Sequence, residues 1–236
     1  MAENSELLRK KALLAHERFC SVYGCPVKYF HSLDPISELV SSLLSHRTKN
    51  ADSSRAFRNL RQQFPTWEEV LEAPLAEVQN AIGAATWPEQ KAQRLQAVFK
   101  EVLARNNGSF DLNYLQKLTV PDARAWLEQL PGVGPKTSAA VLLFSTLRMP
   151  AMPVDSHHHR VAQRLGLLPD KIGPGPAHAN LQALLPADWD AQQVYDHHEV
   201  FMFHGQRCCF FQNPDCLRCV VLDICPYGQE RVGKLT

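Results

Sequence analysis

The chain has 236 residues, of which 45% are hydrophobic and 21% are charged, and its formal net charge is +1. This composition is ordinary for a globular protein and excludes a disordered or low-complexity chain. No apolar run approaches the ~18 residues that suggest a membrane helix. The polar, acidic N-terminus has no signal-peptide pattern, so we expect a cytoplasmic protein with no membrane partner.

Apolar residues repeat with helical spacing along the chain. Two such stripes are Ile36, Leu39, Val40, Leu43 and Leu44, and then Leu95, Val98, Phe99, Val102 and Leu103. Helix starts are marked by Asp34-Pro35, by a capping box that begins at Thr66, and by Pro88 and Pro121. Asn107-Gly108 follows a helix and predicts its end. Because no stretch alternates like a strand, the sequence predicts an all-α fold of roughly ten or more helices.

Five of the seven cysteines lie between residues 208 and 225. Four of them form the pattern C-x6-C-x2-C-x5-C, namely Cys209, Cys216, Cys219 and Cys225. Four clustered thiolates can bind one structural zinc ion or one iron–sulfur cluster. The single C-x2-C pair favours iron, and zinc stays the alternative. Cys208 is then a buried or spare thiol, with a competing ligand as the alternative. We expect Cys20 and Cys25 to pack as free, small hydrophobes.

The segment Leu130–Thr137 reads LPGVGPKT and predicts a tight turn between two helices. Gly132 and Gly134 let the backbone approach a partner closely, and the unpaired amides of the following helix favour a phosphate group. A plain helix–turn–helix corner is the alternative interpretation. A nucleotide-binding P-loop is excluded because Pro135, not glycine, precedes Lys136.

Lys136 and Asp155 are the two candidate reactive residues. Lys136 lies in the first turn of the helix after the glycines, where the macrodipole disfavours a cation, as suits an amine that forms a Schiff base. Asp155 precedes an amphipathic run and is predicted to cap its N-terminus. Capping would keep the carboxylate ionised and oriented.

Four motifs in this order resemble the endonuclease III family of DNA glycosylases: LPGVGPKT, VDSHHHRV, HHEVFMFHG and the cysteine pattern. The resemblance runs from about residue 35 to residue 228. It implies two α-helical lobes with a DNA-binding cleft between them. Residues 28–148 would form a six-helix barrel that carries the hairpin, and residues 1–27 and 149–236 a lobe that binds a [4Fe-4S] cluster.

The resemblance also implies roles for single residues. Lys136 falls on the Schiff-base lysine, Asp155 on the catalytic aspartate, and Gly132 and Gly134 on the phosphate-binding hairpin. The four patterned cysteines fall on the cluster ligands. Arg218, beside the loop between Cys209 and Cys216, would approach the DNA backbone, with a solvated surface charge as the alternative.

The sequence departs from the family pattern where lesions are recognised. Arg47 stands where the family commonly has a glutamine that fills the gap left by the extruded base, and Trp87 where an aliphatic wedge is usual. Trp87 as a core residue is the alternative. We expect surface or DNA-facing positions for His157, His158 and His159, and a place near the cluster for His204.

The implied function is a bifunctional DNA glycosylase and AP lyase of base excision repair. It would remove damaged bases, oxidised pyrimidines above all, from double-stranded DNA and nick the strand by β-elimination. We expect a monomer, associated with the nucleoid if the source is bacterial. A mismatch-specific glycosylase and a DNA-binding iron–sulfur protein of low turnover are the alternatives.

Overall fold

The computed structural model describes residues 2–30 and 32–234, and over that range the chain forms helices and loops without strands. The α-helices are α1 Ala2–Tyr23, α2 Pro35–Ser45, α3 Asn50–Gln63, α4 Trp67–Glu72, α5 Leu75–Ala81, α6 Pro88–Arg105, α7 Val120–Leu127, α8 Pro135–Phe144, α9 Ser156–Arg164, α10 Pro174–Gln182, α11 Ala191–Arg207 and α12 Pro226–Gly233. Short 3-10 helices span Asn113–Lys117, Cys216–Arg218 and Leu222–Ile224. The predicted all-α class is confirmed.

The helix starts follow the capping signals of the sequence. The side chain of Asp34 accepts a hydrogen bond from the Ser37 amide, and Pro35 occupies the first helical position of α2. Thr66 caps α4 in the same way. Each such cap satisfies an amide that has no partner inside its helix, which fixes where the helix begins.

The chain divides into two compact units, residues 31–148 and residues 1–30 with 149–236. In the middle unit, α2 packs against α3, α6 and α8, and α7 packs against α8. α5 packs against α3 and α6, and α4 against α6. The buried stripes of α2 and α6 supply Leu39, Leu44, Leu95 and Phe99, all fully buried, to its core.

The terminal unit is built around α9 and α11. α11 packs against both α1 and α9, and α9 also contacts α10 and α12. Gly205 on α11 permits the close approach of α9, because a Cβ atom there would lie 2.8 Å from the Cβ of His157. Within the described residues, no helix has both the length and the apolar character needed to cross a membrane.

Cys20 and Cys25 form a disulfide, so the expectation that they pack as free thiols is wrong. Gly24 explains the pairing. Its φ of 86° turns the chain back after α1, and its amide donates to the Cys20 carbonyl at 2.8 Å. This turn brings Cys25 to the last turn of α1, with a Cα–Cα distance of 5.1 Å to Cys20. A five-residue separation alone did not indicate that geometry.

Candidate functional site

A glycine hairpin joins α7 to α8 in the middle unit. Gly132 has a φ of 74°, a left-handed conformation that favours glycine. Gly134 is the N-cap of α8, and Pro135 occupies the first helical position. Lys136 follows in the first turn with its side chain exposed, while Thr137 is buried. The hairpin therefore presents the amine of Lys136 beside the unpaired amides of a helix N-terminus.

Lys136 lines a pocket of about 380 Å³ in the middle unit. That volume falls within the roughly 300–1,000 Å³ typical of ligand sites. The lining residues are His46, Arg47, Trp87, Gln90, Lys91, Arg94 and Lys136. Four of these seven side chains are positively charged and none is a carboxylate, so the pocket is suited to a polyanion.

The structure brings Arg47 and Trp87 together at this pocket. The guanidinium carbon of Arg47 lies 5.8 Å from the Trp87 ring centroid. Both residues have left-handed backbones, with φ values of 50° and 54°. The Trp87 side chain is 47% exposed, so Trp87 is not a core residue. Two exposed side chains on strained turns are available to contact a nucleic acid.

His46 and Lys91 are pocket residues that the sequence reasoning missed. The Nε2 atom of His46 lies 3.0 Å from the Thr137 hydroxyl. Burial, followed by the charge of Lys136, lowers the pKa of His46 to about 4, so the imidazole is neutral at physiological pH. Lys91 is only 5% exposed, and its Nζ donates to the backbone carbonyls of Leu44 and His46. Its position on the apolar stripe of α6, four residues before Leu95, was the available signal.

Asp155 lies in the terminal unit and caps α9, as the sequence predicted. Its carboxylate accepts a hydrogen bond of 2.7 Å from the His158 amide. Burial acts to raise the pKa of Asp155, but the charge of His198 and the hydrogen bond from the backbone N–H of His158 outweigh it, so the pKa is lowered. The carboxylate is therefore ionised and held in one orientation.

His158 is fully buried, so its expected surface position is wrong. Its ring centroid lies 4.7 Å from that of Phe201 and 5.4 Å from that of His197, both on α11. Its two ring nitrogens have no hydrogen-bond partner among the described residues. The cause is helical geometry, because His158 shares the inward stripe of α9 with Val161 and Leu165. His157 and His159 are only half-buried.

The four patterned cysteines line one pocket in the terminal unit. Apolar side chains, among them Val161, Leu165 and Leu222, complete its wall. Two donors point at the sulfurs: Arg164 donates to Cys209 Sγ at 3.2 Å, and the Gly228 amide donates to Cys225 Sγ at 3.4 Å. Four sulfur ligands around an apolar pocket with N–H···S bonds fit a [4Fe-4S] cluster.

Cys208 and His204 also line this pocket, close to Cys219. One ring nitrogen of His204 and the sulfurs of Cys208 and Cys219 lie within 4.8 Å of one another. The Cys208 thiol and the His204 imidazole both stabilise a thiolate at Cys219 and lower its pKa to about 4. The hydrogen bond between the Cys208 thiol and the Cys219 sulfur also raises the pKa of Cys208. Cys208 thus keeps its proton beside a thiolate. His204 lies next to the cysteines, as expected.

Arg218 ends the 3-10 helix that begins at Cys216, and its side chain is 85% exposed. It forms an ion pair of 3.4 Å with Asp215. The loop from residue 210 to residue 215 reads FFQNPD and carries no cation, and Phe211 is 77% exposed. Arg218 is thus an exposed positive charge, paired with Asp215, beside a loop that carries no cation of its own.

Residues 40–187 match the HhH-GPD superfamily of base excision DNA repair proteins. The chain belongs to this superfamily. It is 31% identical to an endonuclease III of Bacillus subtilis over 202 residues, which cover 85% of each chain. An endonuclease III of Thermotoga maritima is 30% identical, with 85% of this chain and 86% of that protein covered. The resemblance to the endonuclease III family is confirmed.

A candidate DNA glycosylase of Arabidopsis thaliana is 29% identical, and this chain spans 64% of its length. The solved structure of an endonuclease III trapped as a covalent intermediate with DNA has a TM-score of 0.78 at 23% identity, covering 95% of this chain and 98% of that one. A thermostable thymine-DNA glycosylase gives 0.75 at 21% identity, covering 94% and 98%. These structures confirm the fold, and the family makes this protein a base excision repair DNA glycosylase.

Proposed function

We propose that this protein removes oxidised pyrimidines from duplex DNA and then nicks the strand as an AP lyase, acting as a monomer on chromosomal DNA in the cytoplasm, at the nucleoid in a bacterium. One observation carries the lyase part of the proposal. An exposed lysine, Lys136, lies at the helix N-terminus of the glycine hairpin and lines a pocket rich in cations. Glycosylases without an amine at that point stop after base release.

The reaction begins when the Lys136 amine attacks C1′ of the damaged nucleotide. The N–C1′ bond forms as the glycosidic bond breaks, and the base leaves with the bonding electrons. Loss of an amine proton and opening of the sugar ring give a Schiff base. Removal of a C2′ proton then expels the 3′ phosphate, which nicks the strand. The Schiff base acts as the electron sink for this last step.

Asp155 supplies negative charge for the sugar. As the glycosidic bond breaks, positive charge develops on the sugar ring, and a fixed carboxylate stabilises it. The cap on α9 and the lowered pKa make Asp155 a good electrostatic partner but a weak base. We therefore assign it electrostatic stabilisation first and proton acceptance from the amine second.

The remaining site residues bind the duplex. The amides near Gly132 and Gly134 would bind one phosphate group, and Arg218 would meet another. Arg47 and Trp87 would occupy the stack that the flipped base vacates. Their exposure, their mutual contact and their left-handed backbones support this assignment.

The four cysteines would hold a [4Fe-4S] cluster through one sulfur each. When bound, the cluster supplies four iron–sulfur bonds that fix the loop from Cys209 to Cys225. Arg164 prepares this loop, since it donates to the carbonyls of Phe210 and Phe211 as well as to Cys209 Sγ. The loop then carries Arg218 in a defined position.

A mismatch-specific glycosylase is the second candidate function, and one observation favours it. Arg47 and Trp87 replace the side chains that the endonuclease III resemblance leads one to expect where a lesion is read. A bulky aromatic ring and a long cation could read the opposite strand instead of an oxidised base.

Gel assays on end-labelled duplexes test the proposal. The substrates carry an oxidised pyrimidine, a mismatch or no lesion, and each reaction is analysed with and without alkali. We expect nicking of the oxidised-pyrimidine duplex without alkali, and its loss in Lys136→Ala but not in Lys100→Ala, an exposed lysine on α6. Cleavage of the mismatch duplex alone would support the second candidate, and alkali-dependent cleavage would contradict lyase activity.

A further inference from the structure

The pocket of the terminal unit contains one more thiol than a four-iron cluster needs. Cys208 lines this pocket together with Cys209, Cys216, Cys219 and Cys225. It also lines a neighbouring surface cavity with Tyr23, Arg207 and Arg218. Its side chain is half-buried at the boundary between the two.

The Cys208 sulfur is close to one cluster ligand in particular. It lies within 4.8 Å of the Cys219 sulfur and of a ring nitrogen of His204. The carbonyl oxygen of Asp215 lies 3.5 Å from the same sulfur. Rotation of a cysteine about χ1 between staggered positions moves its sulfur by about 3 Å. A side-chain rotation with a small backbone shift therefore spans the separation.

His204 provides a fixed polar contact between these sulfurs and the helix core. It is 2% exposed, its Nε2 lies 3.5 Å from Cys219 Sγ, and its Nδ1 lies 3.1 Å from the Tyr23 hydroxyl. The ring also stacks on Phe19 at a centroid distance of 4.1 Å. His204 therefore links the Cys219 sulfur to the Tyr23 hydroxyl through one buried ring.

We propose that Cys208 is a reserve ligand, able to take the place of Cys219 on the iron that Cys219 binds. This inference rests on the cluster that the proposed function assigns to the four cysteines. In the exchange, the Fe–S bond to Cys219 breaks and one to Cys208 forms, while the Cys208 proton passes to the Cys219 thiolate. Iron and sulfur keep their oxidation states, so no oxidant or reductant is needed.

The exchange should be specific for Cys219. Among the described residues, the two cysteines outside this pocket are Cys20 and Cys25. They are bonded to each other and so offer no thiol as a further ligand. Cys216 lines the same pocket but is not part of the close group formed by His204, Cys208 and Cys219. Cys216 therefore has no such neighbour to replace it, and its removal is the matched control.

Four variants purified without oxygen test the proposal: Cys208→Ala, Cys219→Ala, Cys216→Ala and the double variant Cys208→Ala/Cys219→Ala. Iron and sulfide are measured, with visible absorption and circular dichroism as checks on the cluster and the fold. We expect the wild-type protein, Cys208→Ala and Cys219→Ala each to hold about four irons per chain, as for one cubane cluster. We expect Cys216→Ala and the double variant to lose most of their iron.

Other results would contradict either the reserve-ligand proposal or the cluster on which it rests. A Cys219→Ala protein as poor in iron as Cys216→Ala would overturn the reserve-ligand proposal, and so would a double variant that keeps as much iron as Cys219→Ala. A Cys208–Cys219 disulfide in the iron-loaded wild-type protein, seen as a mass loss on non-reducing peptide mapping, would also overturn it. Wild-type protein without iron would instead refute the cluster itself.

Discussion

The ammonium of Lys91 donates a hydrogen bond of 2.6 Å to the hydroxyl of Thr48. That hydroxyl also accepts the amide of Thr86 at 3.1 Å, so it joins the turn after Arg47 to the turn before Trp87. With its bonds to the carbonyls of Leu44 and His46, Lys91 uses all three of its donors on this one junction. The two strained residues that face the pocket are therefore held by a single buried cation.

Replacement of Lys91 by methionine should loosen both turns. Methionine keeps most of the apolar stem but leaves three oxygen atoms without their donor, which costs about 2–4 kcal/mol in the free energy of unfolding. We also expect a smaller ratio of affinity for lesion-containing over undamaged duplex. Urea titration and binding titrations measure the two effects. Lys100→Met on the same helix is the control. Equal stability and equal affinity ratios in the two variants would show that Lys91 does not hold the two turns.

Replacement of either hairpin glycine by alanine should impair the protein, but in one case its stability and in the other its binding of DNA. Gly132→Ala forces a side chain into a left-handed backbone and brings its Cβ within 2.6 Å of the Arg94 side chain. We expect a loss of about 1–2 kcal/mol of stability. Gly134 has a φ of −114° and open space around it, so Gly134→Ala should fold normally.

The added methyl group of Gly134→Ala would stand where we place the DNA phosphate. We therefore expect weaker binding to damaged and undamaged duplexes alike, with a smaller loss of stability than in Gly132→Ala. Normal DNA affinity in this variant would show that the hairpin is only a corner between two helices.

Arg47 and Arg218 should contribute differently to affinity. If Arg47 fills the space of the flipped base, Arg47→Ala weakens binding to lesion-containing duplex more than to undamaged duplex. Arg218→Ala should weaken both alike and flatten the salt dependence by roughly one unit, as for one lost phosphate contact. Titrations at several salt concentrations decide this. A uniform loss for Arg47→Ala would leave Trp87 as the residue that reads the lesion.

Glu199 should make the stability depend on pH. Burial, with the charges of Asp155 and Asp196, raises the pKa of Glu199 from 4.5 to about 7. The folded protein therefore binds this proton more tightly, so the contribution of Glu199 to stability is fully present below pH 4.5 and is lost as pH rises through 7. Glu199→Gln should reduce the fall between pH 5 and pH 8 by on the order of 2–3 kcal/mol.

Urea titrations at both pH values check the prediction. Glu17→Gln, at an exposed position on α1, is the control. An unchanged pH dependence in Glu199→Gln would mean that this carboxyl is ionised throughout.

Local signals in the sequence located most helix starts and predicted the cap that Asp155 forms on α9. A short polar side chain directly before an apolar stripe usually serves as a helix N-cap. This signal located the caps formed by Asp34, Thr66 and Asp155. The burial of His158 and Lys91 was missed because their polar character outweighed their place on an apolar stripe. In both cases the helical spacing was the better guide.

Other features depend on contacts distant in sequence. The approach of Cys208 to Cys219 and His204 arises only when the loop after α11 folds back, and the meeting of Arg47 with Trp87 joins two turns about forty residues apart. Periodicity and spacing describe single elements, so they carry no information on such pairs.

Borohydride reduction during reaction with an abasic-site duplex tests the central claim most directly. The trapped complex is digested, and the modified peptide is identified by mass spectrometry. We predict one covalent adduct per chain, on Lys136, and no adduct in Lys136→Ala, although that variant still binds the duplex. An adduct on Lys91, which lines the same pocket, or equal trapping by Lys136→Ala would contradict the assignment of Lys136 as the nucleophile.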